Sequence, residues 1–426
     1  MRKHRQKFNR DLQYYKFCLY GFLKNLEFFE AFQILFFLSS QLTFLQIGIL
    51  YSIREITRNL LEIPAGIFSD ALGRRKTMIF SFSFYILSFL TFYFSQVYSG
   101  FVAGMIIYSL GDAFRTGTHK AMIFDYLKLK GWIDQKVYYY GHTRSWSQMG
   151  SAVSALIAAG LIFITGNYLS IYLYSAIPFF LDLLLIASYP KELDGEIAIL
   201  SKDKLIGNFI KVFRDFFASV INRRTLKSIV NLSSHTGYYA AVKDYLQPVL
   251  QTLTLSVPVF LSFKEDQRSA LIVGGVYFIV FFLTSWSSRN AGSFSERFKF
   301  LNLPLNLTLI VGLFFGLTSG WLYQQNMLIL SVIFYIGIYL IENLRKPIGI
   351  AYVSENIDHH IMATVLSSES QIHALFAAIL APLIGFFADR FGLGYAIMAV
   401  SGIMILWSPV YMVKKSLNPG STFTRT

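Results

Sequence analysis

The chain has one cysteine, Cys18, in 426 residues, which excludes an internal disulfide framework and a thiolate metal cluster within one chain. Charge is scarce at 15% of residues, and acid is scarcer than base: 24 Asp and Glu against 38 Lys and Arg, a net charge of +14. The patterns GxxxxGK[ST], HExxH and GxSxG are missing, so no nucleotide-driven pump, zinc hydrolase or serine hydrolase is marked. The histidines form no HxxxH or Cys/His cluster, and no metal or other cofactor is expected. The opening MRKHRQKFNRDLQYYK is basic and lacks the short apolar core and small-residue cleavage site of a signal peptide.

Apolar residues are abundant. The chain is 54% hydrophobic and 17% aromatic, with 42 Phe and 26 Tyr, and its mean hydropathy is +0.49. That is too apolar for an ordinary water-soluble protein of this size, and the bilayer is the expected solvent. The excess positive charge falls in short segments between apolar runs, the pattern of cytoplasmic loops and not of a nucleic-acid-binding face.

A span needs about 20 mostly apolar residues, and twelve fit: 18–40, 44–69, 77–96, 100–126, 141–166, 168–189, 227–252, 268–291, 303–322, 327–352, 363–388 and 393–413. The turns at Ser40–Thr43, Ser95–Gly100, Gly166–Tyr168 and Trp321–Asn326 carry no charge, whereas the alternate connections are basic. The positive-inside rule then puts both termini in the cytoplasm. The expected organisation is a basic tail over 1–17, a six-helix bundle over 18–189, a cytoplasmic linker over 190–226, a second bundle over 227–413 and a tail over 414–426. Within the linker, Leu205, Phe209, Ile210, Phe213, Phe216, Phe217 and Val220 recur at helical spacing, which predicts an amphipathic helix on the membrane surface.

Between the second and third spans stands GIFSDALGRRK, Gly66 to Lys76, preceded by Glu62-Ile63-Pro64. This resembles the GxxxDxxGRRK signature of the major facilitator superfamily, in the loop where that family carries it. A weaker echo, GSFSERFK with Gly292, Glu296 and Arg297, follows the eighth span, and GLIFITGNYLSIYLYSAI and GFFADRFGLGYAIMAV correspond between the halves. Such repetition suits a transporter built of related halves. The resemblance implies an all-α membrane protein of twelve transmembrane helices in two pseudo-symmetric six-helix bundles, working by alternating access. It also implies a cytoplasmic gate of Gly66, Asp70, Gly73, Arg74 and Arg75 with Asp125, the acid at the inner end of helix 4. Gly66 and Gly73 suit close packing and a tight turn. The fifth span, SWSQMGSAVSALIAAG, departs from the pattern of many drug/proton antiporters in having Gly150 and Gly160 but no proline.

The remaining intramembrane charges are the candidate site. A charge facing lipid at mid-membrane costs at least ~2.5–3.5 kcal/mol, so these side chains are expected to face protein or a water-filled cavity. On a continuous fourth helix turning about 100° per residue, Asp112, Arg115 and His119 share a narrow arc with Lys120 nearby, and Asp125 points away. Glu27 and Glu30 are expected on one face of helix 1, Lys243 on helix 7, and Glu342 and Arg345 on helix 10; the resemblance makes helices 1, 4, 7 and 10 the cavity lining. Arg54, Glu55, Arg58 and Glu62 read as a structural ion-pair ladder, Asp182 as a paired structural residue, and the phenylalanines as lipid-facing surface.

The reading is a multi-pass, monomeric secondary transporter in a bacterial inner membrane. It moves a small polar organic solute, anionic or zwitterionic, coupled to an ion, namely the proton. A drug/proton antiporter is the alternative within the class, and a non-transporting receptor or scaffold the alternative outside it.

Overall fold

The computed structural model describes residues 9–195, 223–258, 261–356 and 362–414. The predicted surface helix of the linker lies outside them. The described residues form helices and no strand. In chain order these are α1 (Leu12–Lys24), α2 (Gln33–Ser39), α3 (Phe44–Leu72), α4 (Arg74–Phe94), α5 (Tyr98–Arg115), α6 (Thr118–Leu129), α7 (Lys136–Thr165), α8 (Ser170–Ala187), α9 (Arg223–Val242), α10 (Leu246–Ser256), α11 (Glu265–Arg289), α12 (Ala291–Ser295), α13 (Asn302–Gln324), α14 (Leu328–Asn356), α15 (Met362–Phe391) and α16 (Leu393–Tyr411).

These helices account for the twelve expected spans, nine of them unbroken. Helix 1 is α1 and α2 separated by an unwound turn, helix 4 is α5 and α6, and helix 7 is α9 and α10 joined by the 3-10 turn Lys243–Tyr245. Among the described residues, eight helices are long and apolar enough to cross a membrane on length and composition alone. The spans that fall short are the first, second, fourth and seventh, where the breaks and the charges are. A broken helix in a bilayer frees backbone groups that need protein partners. In helix 7, the phenols of Tyr335 and Tyr339 on α14 donate to the carbonyls of Val242 and Lys243, each at 2.6 Å. In helix 1, the Phe28 amide donates to Ser175 Oγ at 3.2 Å. In helix 4, Thr116 Oγ1 returns to the Asp112 carbonyl at 2.8 Å, and Gly117 takes the left-handed φ of 78° that turns the chain.

The chain divides into two units, Met1–Ala31 with Thr57–Ile206 and Phe32–Ile56 with Gly207–Thr426. In the first unit α4 packs on α5 and α8, and α1 on α7. Its interior is aromatic. Phe179 meets Phe82, Tyr85 and Phe89 with ring centroids 4.9–5.3 Å apart, and Phe29 stacks on Tyr172 at 5.3 Å. Phe17, Phe82, Phe89 and Phe179 are all 0% exposed. Many phenylalanines are therefore core, not lipid-facing surface; ring edges and faces fill a bundle interior without leaving polar atoms to satisfy.

In the second unit α9 packs on α15 and α13 on α14 and α16. The first half of α3 also belongs here. Its N-terminus is capped twice: Thr43 and Gln46 exchange side-chain and backbone hydrogen bonds at 3.0 and 3.2 Å, and Asp389 on α15 accepts from the Phe44 and Leu45 amides at 2.9 Å each. One turn on, a Cβ on Gly48 would lie 2.3 Å from the Ala381 carbonyl oxygen, and one on Gly385 would lie 2.2 Å from that of Phe44. Small residues bring the two backbones together because lipid offers no hydrophobic drive to do so.

Overpacking costs ~1–3 kcal/mol, so Gly48→Ala is expected to lower the melting temperature of the detergent-solubilised protein. Gly160→Ala, where nothing stands within 4 Å, is expected to leave it unchanged or raise it. Equal melts for both variants would refute the close α3–α15 contact.

Candidate functional site

The first unit encloses a cavity of about 350 Å³. Its walls come from α1 (Tyr20, Lys24), the break in helix 4 with α6 (Arg115, Gly117, His119, Lys120), and α7 (Thr143, Arg144, Ser147, Gln148). Lys24, Arg115, Lys120 and Arg144 line it, and no Asp or Glu among the described residues does.

Two of these cations are paired behind the wall. Arg115 Nη2 lies 3.2 Å from Asp112 Oδ1, and the Tyr85 hydroxyl sits between them, accepting from Arg115 Nε at 2.9 Å and donating to Asp112 at 2.5 Å. Lys24 Nζ is 2.7 Å from Glu27. The other two have no carboxylate partner among the described residues: Lys120 lies 5.6 Å above the rings of Phe124 and Tyr140, and Arg144 is exposed to the cavity. His119 is stacked on Tyr20 at 3.5 Å, with Nε2 3.3 Å from the Tyr189 hydroxyl.

Several expectations need correction. Glu27 and Glu30 share no helix face, because they stand in the unwound turn between α1 and α2, where the Glu30 amide bonds the Glu27 carbonyl at 3.0 Å. The arc drawn from Asp112 to His119 is likewise interrupted: the chain turns at Gly117 and begins α6 with a new direction, and His119 reaches the cavity from there. Arg345 is not among the residues lining the cavity of the first unit. It is 2% exposed and its guanidinium ties α14 to α9 and α13 through the carbonyls of Asn231 (2.7 Å) and Leu305, the Asn231 side chain (2.5 Å) and Thr308 (3.3 Å). Glu342 is also buried, accepting from Thr236 at 2.9 Å and lying 2.7 Å from His235 Nδ1. Lys243, in the helix 7 turn, is 3.4 Å from Asp244. Asp182 is buried without a hydrogen-bond partner among the described residues; the expected pairing is absent.

The loop motif forms a bracket inside the first unit. Gly73, at φ 89°, ends α3 and starts α4. Arg74 pairs with Asp125 on α6, which Lys128 approaches at 3.9 Å. Arg75 is held by Asp194, through its amide at 2.9 Å and its guanidinium at 3.6 Å, and by the Tyr189 carbonyl at 3.1 Å. Asp70 is exposed, and the acid that grips the turn is Asp194. No close packing surrounds Gly66, since nothing among the described residues stands within 4 Å of a Cβ placed there.

Sequence reasoning missed Arg144, Lys24, Tyr20 and Asp194 as functional candidates. Arg144 lay near the predicted start of a span, where a basic residue is ordinary, and Lys24, three residues before Glu27, reads as its structural ion-pair partner. Asp194 carried a faint signal, as an acid in PKELDG just past the sixth span.

Comparison with known proteins bears on the fold and the family. The MFS-type transporter YxaM of Bacillus subtilis (strain 168), itself uncharacterized, is 23% identical over 395 residues, 90% of this chain and 91% of its own. Among solved structures, a variant of the nucleoside transporter NupG superposes with a TM-score of 0.75 at 15% identity, covering 94% of this chain and 98% of that one. A POT family transporter in complex with 5-aminolevulinic acid gives 0.69 at 12%, covering 93% of each, and a peptide transporter POT in complex with sulfate gives 0.67 at 12%, covering 96% of each. These likenesses are to the fold. The profile described as Major Facilitator Superfamily matches residues 18–368, and the chain belongs to that family of membrane transporters.

Proposed function

We propose that the protein moves a small anionic or zwitterionic organic solute by alternating access, driven by a proton gradient. The observation that carries this reading is the cavity wall: four cationic side chains and no carboxylate among the lining residues, two of the cations lacking an acidic partner among the described residues. In a poorly solvated cavity, unmatched guanidinium and ammonium groups favour carboxylate, phosphate or sulfate, and they disfavour a greasy cation. A volume of about 350 Å³ suits a small solute. Solved proteins of this fold holding sulfate or 5-aminolevulinic acid are in keeping with it. The basic alternate loops support cytoplasmic termini in a bacterial inner membrane, and the protein is taken as a monomer.

Proteoliposome uptake of phosphomonoesters, dicarboxylates and amino acids, with and without an inside-alkaline gradient, tests the reading. Uptake of an anion or zwitterion, stimulated by the gradient, is expected; transport of lipophilic cations instead would replace it with a drug exporter.

The cations separate by role. A hydrogen bond to a charged group contributes ~1.5–3 kcal/mol, about tenfold or more in affinity. Arg144→Gln and Lys120→Gln are therefore expected to weaken binding of the transported solute at least tenfold with little change in melting temperature. Arg115→Gln strips the partner from buried Asp112 and is expected to lower the melting temperature as well. Unaltered affinity in Arg144→Gln and Lys120→Gln together would remove the anion from the cavity.

The bracket around Gly73 is proposed as part of the cytoplasmic gate. Asp125→Asn, which removes the partner of Arg74, is expected to bias the protein toward the inward-open state. With Cys18 replaced by Ser and a single cysteine introduced at Gln148, a membrane-impermeant maleimide applied from the cytoplasmic side should label Asp125→Asn faster than its parent. Equal labelling together with normal transport would refute the gate.

A further inference from the structure

Asp182, on α8, is 0% exposed, and neither carboxyl oxygen has a hydrogen-bond partner among the described residues. It stands apart from the other acids around it. Asp112 is held by Arg115 and Tyr85, Glu27 by Lys24, Asp125 by Arg74, and Asp194 by Arg75. An ionised carboxylate buried without a partner is strongly disfavoured, whereas the neutral acid is tolerated, so such a group is built to carry a proton.

Its surroundings connect it to the cavity. From α1, Tyr20 and Lys24 lie within electrostatic reach, and so does Tyr189, just past α8. From α4, Tyr85 meets Phe179 of α8 edge-on at 5.3 Å and is already engaged to Asp112 and Arg115 of α5. From α7, Tyr139 packs edge-on against Phe17 of α1, as Tyr189 does, and from α6, His119 stacks on Tyr20. Among the described residues, Lys24 is the cation in electrostatic reach of Asp182, and Glu27 holds it. Tyr20 and Lys24 both line the cavity.

We propose that Asp182 is a proton-binding site that exchanges with the cavity and couples proton entry to solute movement; the coupling clause rests on the transport reading above. A hydronium ion in the cavity passes a proton to one carboxylate oxygen, forming an O–H bond and leaving water, and release is the reverse. An anion beside Lys24 and Arg115 adds negative charge near Asp182 and favours the neutral acid. Anion and proton thereby promote each other's binding and cross together, a reciprocal linkage.

Infrared spectroscopy of the full-length protein in lipid nanodiscs, with no solute present, tests proton binding. At neutral pH the carbonyl-stretch band of protonated carboxylic acids is expected to be smaller by one acid in Asp182→Asn than in the parent, and the missing component should shift in D2O and fade as pH rises. Asp182→Leu, close in shape to the neutral acid, serves if the amide fails to fold. An identical band in parent and variants, or a component that neither shifts nor fades, overturns the proposal. In proteoliposomes with the panel of anions and amino acids, Asp182→Asn is expected to retain counterflow and lose gradient-driven accumulation. Undiminished accumulation, with Glu30→Gln losing it instead, overturns the coupling role. A panel that the parent does not move overturns the solute reading alone, since the infrared titration decides proton binding without any solute.

Discussion

A polar group placed inside a bilayer is costly unless the protein supplies its partner, and much of the arrangement of this chain follows from that constraint. The backbone groups freed where helices 1, 4 and 7 break are taken up by Ser175, by Thr116 and by the phenols of Tyr335 and Tyr339. The buried guanidinium of Arg345 is surrounded by carbonyl oxygens, and Glu342 by His235 and Thr236. These contacts fix helices against one another as effectively as apolar packing does, because in hydrocarbon an unmade hydrogen bond has no water to replace it.

Against that background, the groups left without a matching charge carry the functional argument. In the first unit, Asp112 and Glu27 neutralise Arg115 and Lys24, while Lys120 and Arg144 face the cavity with no carboxylate partner among the described residues. Asp182 is the converse, a buried acid without a hydrogen-bond donor among the described residues. Fixed cations with room beside them attract an anion, and an isolated buried acid takes a proton. The two features share Tyr20 and Lys24 as neighbours, a physical route by which one ligand can sense the other.

The bracket at Gly73 and the cap on α3 use the same chemistry at helix ends. Arg74 and Arg75 are each matched to one acid, on α6 and on the turn after α8. Asp389 is matched to helix amides instead of to a cation. A carboxylate at a helix N-terminus gains from two oriented N–H groups and the helix dipole, and it can be released without leaving a counter-charge stranded in lipid.

Much was legible before any coordinates. Twelve apolar runs, the alternation of basic and uncharged turns, and GIFSDALGRRK between the second and third runs suffice for the fold and the family, because hydrophobic length and loop charge are local properties that a bilayer reads directly. The charged helices were legible too, since Asp112, Arg115 and Glu342 are conspicuous in apolar surroundings. Which face each charge takes was decided only in three dimensions. A single Gly117 redirects His119 and Lys120, an unwound turn separates Glu27 from Glu30, and carbonyls from α9 and α13 claim Arg345. Arg144 and Asp194, unremarkable in the sequence, become a cavity cation and a clamp, while Asp182 has no hydrogen-bond partner among the described residues. Hydrophobic periodicity assigns a residue to a helix, but pairing depends on what neighbouring helices present at the same depth, and that is set by tertiary packing across the bundle.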